Sequence, residues 1–239
     1  MQALMNAGRI SVPTAQLAIG AAAAVVLLLA GLHVLSPEFD PCWRVVSEYA
    51  NGNYGWVLSL MFAAGALSNW ALGFAVWSRV HSRSGRTGLI LLIISGIGGA
   101  MASVFDINHP LHNVAGAIGV LTIPFAAPLI SVALTRSQPW SAARKLLLWT
   151  SNLIWISLVL FIVTTVILTI TYLHTGAQMT SPVKQLPPGV IALNGWPNRF
   201  FVVACSVWVV AVARQAIRIS RGHNRNGLAG NNKQALNSH

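Results

Sequence analysis

The residues of this chain that could do chemistry are few and fall in three short stretches. The run Asp106-Ile107-Asn108-His109-Pro110-Leu111-His112 holds one carboxylate and two imidazoles, Ser47-Glu48-Tyr49 sets a carboxylate between two hydroxyls, and Arg199 stands just before the last apolar run. An acid with two histidines can hold a divalent metal such as zinc, so Asp106, His109 and His112 form a candidate metal set. In that reading the protein is a metal-dependent lipid hydrolase: Glu48 acts as general base on the metal-bound water and Arg199 stabilises the oxyanion. Without a metal, Ser47, Glu48, Tyr49, Asp106, His109, His112 and Arg199 form a polar cluster that organises the protein or binds a lipid headgroup, with Arg199 attracting phosphate. This second, non-catalytic reading requires no missing motif and is preferred. A haem or proton-coupled carrier built on His33, His112 and His174 ranks last, since those histidines lie near one surface and permit one haem level at most.

What must position these residues is a set of membrane spans. Hydrophobic residues make up 55% of the 239-residue chain and charged residues 8%, against roughly a quarter charged in soluble domains. A bilayer core needs about 20 apolar residues per helix, because backbone groups must be paired internally. Six runs qualify, at about 15–35, 54–78, 87–105, 111–134, 146–173 and 200–217. The expected fold is all-α: a polytopic transmembrane six-helix bundle in residues 1–217, followed by a basic, disordered cytoplasmic tail in 218–239. The first run follows Arg9 as a signal sequence would, but no small-residue cleavage site comes after His33, so it reads as a retained span.

Of the fifteen Lys and Arg residues, twelve fall on one side of this topology and only Arg44, Lys184 and Arg199 on the other. Basic residues stay cytoplasmic, so both termini are expected in the cytoplasm and the chain in the cell membrane. The formal charge of +11 is thereby explained by topology, which argues against a nucleic-acid partner; membrane lipids are the expected partners. All four carboxylates, Glu38, Asp40, Glu48 and Asp106, then face outward. Cys42 and Cys205 supply neither a disulfide framework nor a metal spacing. No midplane ionisable residue marks a transport path, and no Gly-rich phosphate loop is present.

Helix electrostatics sharpen the cluster. Asp106 ends the third span, where the dipole is negative, and so requires a compensating partner. Arg199 opens the sixth span at its positive end on the same membrane face, which makes the two candidates for each other. His112, in the first turn of span four, is expected to be neutral. In the first outer loop Asp40 and Pro41 read as the N-cap and first residue of a short interfacial helix running through Ala50, with Arg44 and Glu48 one turn apart. Small residues Ser95, Gly96, Gly99, Ala100 and Ser103 allow a neighbour close to span three. Pro124 and Pro128 interrupt hydrogen bonding in span four. Ser68, Asn69, Ser151, Asn152, Thr164 and Thr165 are expected to bond between helices.

At these residues the chain resembles the bacterial and archaeal membrane family catalogued as domain of unknown function 998. The resemblance rests on Ser47-Glu48-Tyr49 followed by Gly55-Trp56, on the Asp106 to His112 turn, and on Gly195 to Arg199, and covers roughly 16–216. It implies six spans and no established activity. More distantly, acid and histidine at span ends resemble the seven-span ceramidase and receptor-like hydrolases, whose zinc is held by histidines; the His-x-x-x-His of their last span is missing here.

Overall fold

The computed structural model describes residues 11–176 and 185–236, with side chains through Gly222. Arg9, Lys184 and residues 237–239, which entered the charge count or the expected tail, lie outside the described residues. Regular structure among the described residues is helical throughout. Six long helices run as α1 (Val12–Leu35), α2 (Gly55–Val76), α3 (Arg83–Val104), α4 (Leu111–Thr135), α5 (Arg144–His174) and α6 (Gly195–Leu236). Each contains a stretch long and apolar enough to cross a bilayer, which makes this a multi-pass membrane protein. The end that carries Arg199 is called the outer end below, after the basic-residue count.

Helix starts differ from the apolar runs for identifiable reasons. Helix α3 begins at Arg83, a turn before the apolar run, because the Ser82 hydroxyl accepts from the Gly85 N–H at 3.2 Å and caps it. Helix α4 remains continuous through Pro124 and Pro128. Helix α6 starts at Gly195, five residues before Phe200, because Gly195 and Arg199 of its first turns are buried against the outer loop. At its other end α6 continues past Ile217 to Leu236, so the basic segment begins inside the same helix.

The helix expected from Asp40 to Ala50 is divided. Asp40 does cap a turn, its carboxylate accepting from the Cys42 N–H at 2.9 Å and its carbonyl from the Arg44 N–H at 3.0 Å. That turn stops, and a separate 3-10 helix covers Val46–Asn51. The cause lies in α6: the Cys42 carbonyl accepts from the Gly195 N–H at 3.0 Å and the Arg44 carbonyl accepts from Arg199 at 2.6 Å. Carbonyls turned toward α6 cannot accept along a continuous helix.

In the membrane the close contacts are made by glycine. At Gly98 a Cβ would run into the Gly119 backbone of α4 and come within 2.8 Å of the Ala115 carbonyl; at Gly88 it would meet Leu129 at 2.9 Å. Gly96 is closed off by the Trp70 indole of α2, whose N–H donates to the Ile93 carbonyl at 3.1 Å. Helix α3 is therefore wedged between α2 and α4. Polar side chains add cross-links: Ser68 donates to the Ala18 carbonyl at 3.1 Å, Asn69 to Ser95 at 3.3 Å, and Ser95 to the Gly119 carbonyl at 3.0 Å. Trp208 of α6 donates to Ser131 of α4 at 3.0 Å. In contrast Ser151, Thr164 and Thr165 bond to carbonyls of their own helix, and Asn152 is exposed, because α5 turns much of its surface outward to the lipid.

The Gly98 contact is open to a direct check. Gly98→Val should cost about 1–3 kcal/mol through overpacking, lowering the apparent melting temperature in detergent. Gly31→Val, where a Cβ meets nothing within 4 Å, should leave it nearly unchanged; equal losses in both variants would show that the α3–α4 contact is not close.

Candidate functional site

Arg199 is 3% exposed and is the centre of the outer end. Its Nε donates to His33 Nε2 at 2.7 Å. One terminal nitrogen donates to the carbonyls of Arg44 at 2.6 Å, Gly195 at 3.0 Å and Pro41 at 3.5 Å, and the other to the Tyr49 hydroxyl at 3.0 Å. The guanidinium also lies 5.5 Å from the centre of the Tyr49 ring, on its electron-rich face. No carboxylate is among its hydrogen-bond acceptors, so its charge is compensated by carbonyl dipoles, a phenol and an imidazole.

The imidazole's state follows from geometry. His33 Nδ1 lies 2.7 Å from the Leu29 carbonyl oxygen and must donate its proton there, which leaves Nε2 as the lone-pair acceptor that Arg199 requires. Trp196 stacks on the ring at 6.2 Å and Tyr49 meets its edge at 5.9 Å. With Nε2 engaged in this way, His33 is not available as an axial haem ligand. The loop is pinned a second time by Asn198, whose side-chain oxygen accepts from the Val46 N–H at 2.8 Å. Gly195 is required by the closeness of the two segments: a Cβ there would strike the Pro41 carbonyl and come within 2.8 Å of the Arg44 carbonyl.

Tyr49 is fully buried, while Glu48 is half-buried and pairs with Arg44 at 3.2 Å, the i,i+4 pair expected from their spacing. Burial raises the Glu48 carboxyl above its ordinary pKa, and the Arg44 guanidinium and then the more distant Arg199 work against that rise. Arg44 in turn lies 4.0 Å from the Trp43 ring centre.

The Asp106 turn is a separate structure. Asp106 is exposed and satisfied locally, its carboxylate accepting from the Asn108 N–H at 2.9 Å. Arg199 is not its partner. The exposed His109 stacks on Phe105 at 4.5 Å and accepts from the Leu111 N–H at 3.2 Å through Nδ1. His112 is buried, with Nδ1 2.9 Å from the Phe105 carbonyl oxygen. Asn108 ties this turn to the 3-10 helix by donating to Asn51 at 2.9 Å. The three residues expected to share a metal thus point to three different places. Among the described residues, no group of three or more His, Cys, Asp or Glu side chains is placed to hold a metal ion.

What sequence reading missed is a cavity of about 630 Å³ between the helices, open on the side where the lining residues Asn113, Leu121 and Ile162 are exposed. Ser47, Ile107, His112 and Asn198 line its outer part, Val46 of the docked loop borders it, and Asn69, Ser95, Ile123 and Val209 line it at greater depth. Among the described residues, none that lines the cavity carries a formal charge, and most are apolar. Its signal in the sequence was the run of small residues on α2, α3 and α4, among which Gly65, Gly98, Gly99, Gly116 and Gly119 line the cavity.

Six apolar helices, an outer loop latched by a buried arginine and an apolar cavity between the helices define the class: a multi-pass α-helical membrane protein. The profile of the family described as Protein of unknown function (DUF998) matches residues 18–215, and the chain belongs to that family. No curated protein and no solved structure matches it.

Two outcomes test this geometry. Arg199→Lys retains the charge but not the planar fork, so amide hydrogen exchange at Val46 and Gly195 should accelerate nearly as much in Arg199→Lys as in Arg199→Ala; protection unchanged in either variant would contradict the latch. A carboxyl with a raised folded pKa binds its proton more tightly in the folded than in the unfolded chain. Its contribution to stability is therefore present below the ordinary carboxylate range and lost as pH rises through the raised value. Glu48→Gln should remove that loss, leaving stability at neutral pH unchanged or higher within about 1 kcal/mol, as read from melting curves between about pH 4 and pH 7.

Proposed function

We propose that this protein is a non-catalytic lipid-binding component of the cell membrane, with both termini cytoplasmic, that accommodates one apolar chain inside its helix bundle. The supporting observation is the cavity of about 630 Å³, a volume within the range of about 300–1,000 Å³ that suits drug-sized ligands. Its walls are apolar and its outer part is bordered by neutral hydrogen-bonding groups, which is the polarity profile of an amphiphile entering from the outer leaflet. In this reading the Arg199 assembly holds the outer loop over the cavity. It does not bind phosphate, because its hydrogen bonds are made to the protein. The hydrolase reading gains no support from the geometry, since Glu48 is committed to Arg44 and is not joined by the histidines.

Gly116 offers a way to fill the cavity without disturbing its walls, because a Cβ there meets nothing within 4 Å. Native mass spectrometry of protein released from lipid nanodiscs should show one retained lipid-sized adduct on the wild type. Gly116→Leu should lower its occupancy about fivefold or more, equivalent to about 1 kcal/mol, with the melting temperature maintained. Equal occupancy in the two proteins would remove the cavity as the binding site.

A further inference from the structure

His112 is 9% exposed, stands in the first turn of α4 and lines the outer part of the cavity. Its Nδ1, 2.9 Å from the Phe105 carbonyl oxygen, must carry a proton. In the tautomer that donates from Nδ1, Nε2 carries the ring's lone pair. Nε2 is therefore an acceptor, and no protein donor reaches it among the described residues. Nε2 is not sealed inside the protein, since the buried polar atoms without a partner among the described residues are Ser36 Oγ and Asn194 Oδ1; the ring borders the cavity, and a ligand there can supply the donor.

The surrounding charges restrict what can supply the donor. Two cations stand at the loop that borders the cavity: Arg44 is paired with Glu48, and Arg199 directs its hydrogen bonds to His33, Tyr49 and three carbonyls. Among the described residues, none of those lining the cavity is charged. A phosphate or carboxylate head would find no cation in the cavity, and its oxygens would face the lone pair of Nε2. An uncharged O–H or N–H would find its acceptor. Below it the apolar wall of α4 continues from His112 to Ile123, about 16 Å at about 1.5 Å per residue.

Resting on the cavity reading above, we infer that His112 Nε2 is the headgroup acceptor of the site, and that the ligand is an uncharged amphiphile with an O–H or N–H donor at the head of a long apolar chain. The probe is radiolabelled 1-dodecanol, titrated against protein in lipid nanodiscs and corrected for empty discs. Dodecyl methyl ether and dodecyl phosphate serve as unlabelled competitors. The ether has the same chain and oxygen but no donor; the phosphate adds negative charge.

Saturable binding of one dodecanol per protein is expected. The ether should compete about threefold to tenfold more weakly than unlabelled dodecanol, the range for loss of one neutral hydrogen bond, and the phosphate no better than the ether. His112→Phe keeps a planar ring but has no acceptor, so it should bind alcohol and ether alike. If that variant does not fold, the wild-type comparison still decides. Equal competition by alcohol and ether, tightest binding by the phosphate, or a preference that survives in His112→Phe would each overturn the headgroup assignment. Absence of saturable dodecanol binding, where the adduct sensitive to Gly116→Leu is present, would overturn the ligand class and leave the cavity reading in place. Absence of both would overturn the cavity reading itself.

Discussion

The outer end of this protein depends on a buried guanidinium that is satisfied without a carboxylate partner. Arg199 sits near a helix N-terminus, where the dipole opposes positive charge, and burial adds a desolvation cost. Carbonyls of Pro41, Arg44 and Gly195, the Tyr49 phenol and the lone pair of His33 meet it instead. Each is a dipole whose orientation the fold must supply. The first outer loop is accordingly bent so that its carbonyls face α6, its helix is broken into a capped turn and a 3-10 segment, and position 195 has no room for a side chain.

The latch and the cavity are linked by the same loop. Val45, Val46 and Ser47 border the cavity directly, and Val46 is held by Asn198 one residue before Arg199. Deeper in the membrane, where lipid offers no hydrophobic force to drive helices together, α2, α3 and α4 associate through glycine contacts and hydrogen bonds between side chains and carbonyls. Small residues on these helices serve two ends. At Gly98 the space is closed by the facing backbone of α4; at Gly116 it is left open. Tight packing among three helices and open volume facing the others arise from one compositional feature.

Much of the bundle was legible because the bilayer imposes a length and a polarity that few sequences meet by accident. The six apolar runs correspond to six helices, and the small residues of α3 do mark close approach. Boundaries were less legible where a polar turn is buried: Gly195 to Arg199 has no apolar signal, yet belongs to α6. The site divided similarly. The Arg44–Glu48 pair was legible from its spacing and forms although the helix expected to carry it is divided between the two residues, and Tyr49 and Arg199 do meet. The dipole argument expected a compensating partner for Asp106 such as Arg199; the exposed carboxylate instead accepts from an N–H two residues away, a turn contact that dipole reasoning does not anticipate. His33, the actual partner of Arg199, lies 166 positions away; no local pattern connects them. A metal set drawn from Asp106, His109 and His112 failed because nearness along a turn does not make side chains converge.

The central claim is that Arg199 is locked to His33 in the neutral, Nδ1-protonated state, and nitrogen NMR of selectively labelled protein tests it most directly. The account predicts a slowly exchanging Arg199 Nε–H with measurable scalar coupling across the hydrogen bond to His33 Nε2, together with His33 ring shifts of the Nδ1–H tautomer. Rapid exchange of the Arg199 Nε–H with solvent, or a His33 protonated at Nε2, would contradict it.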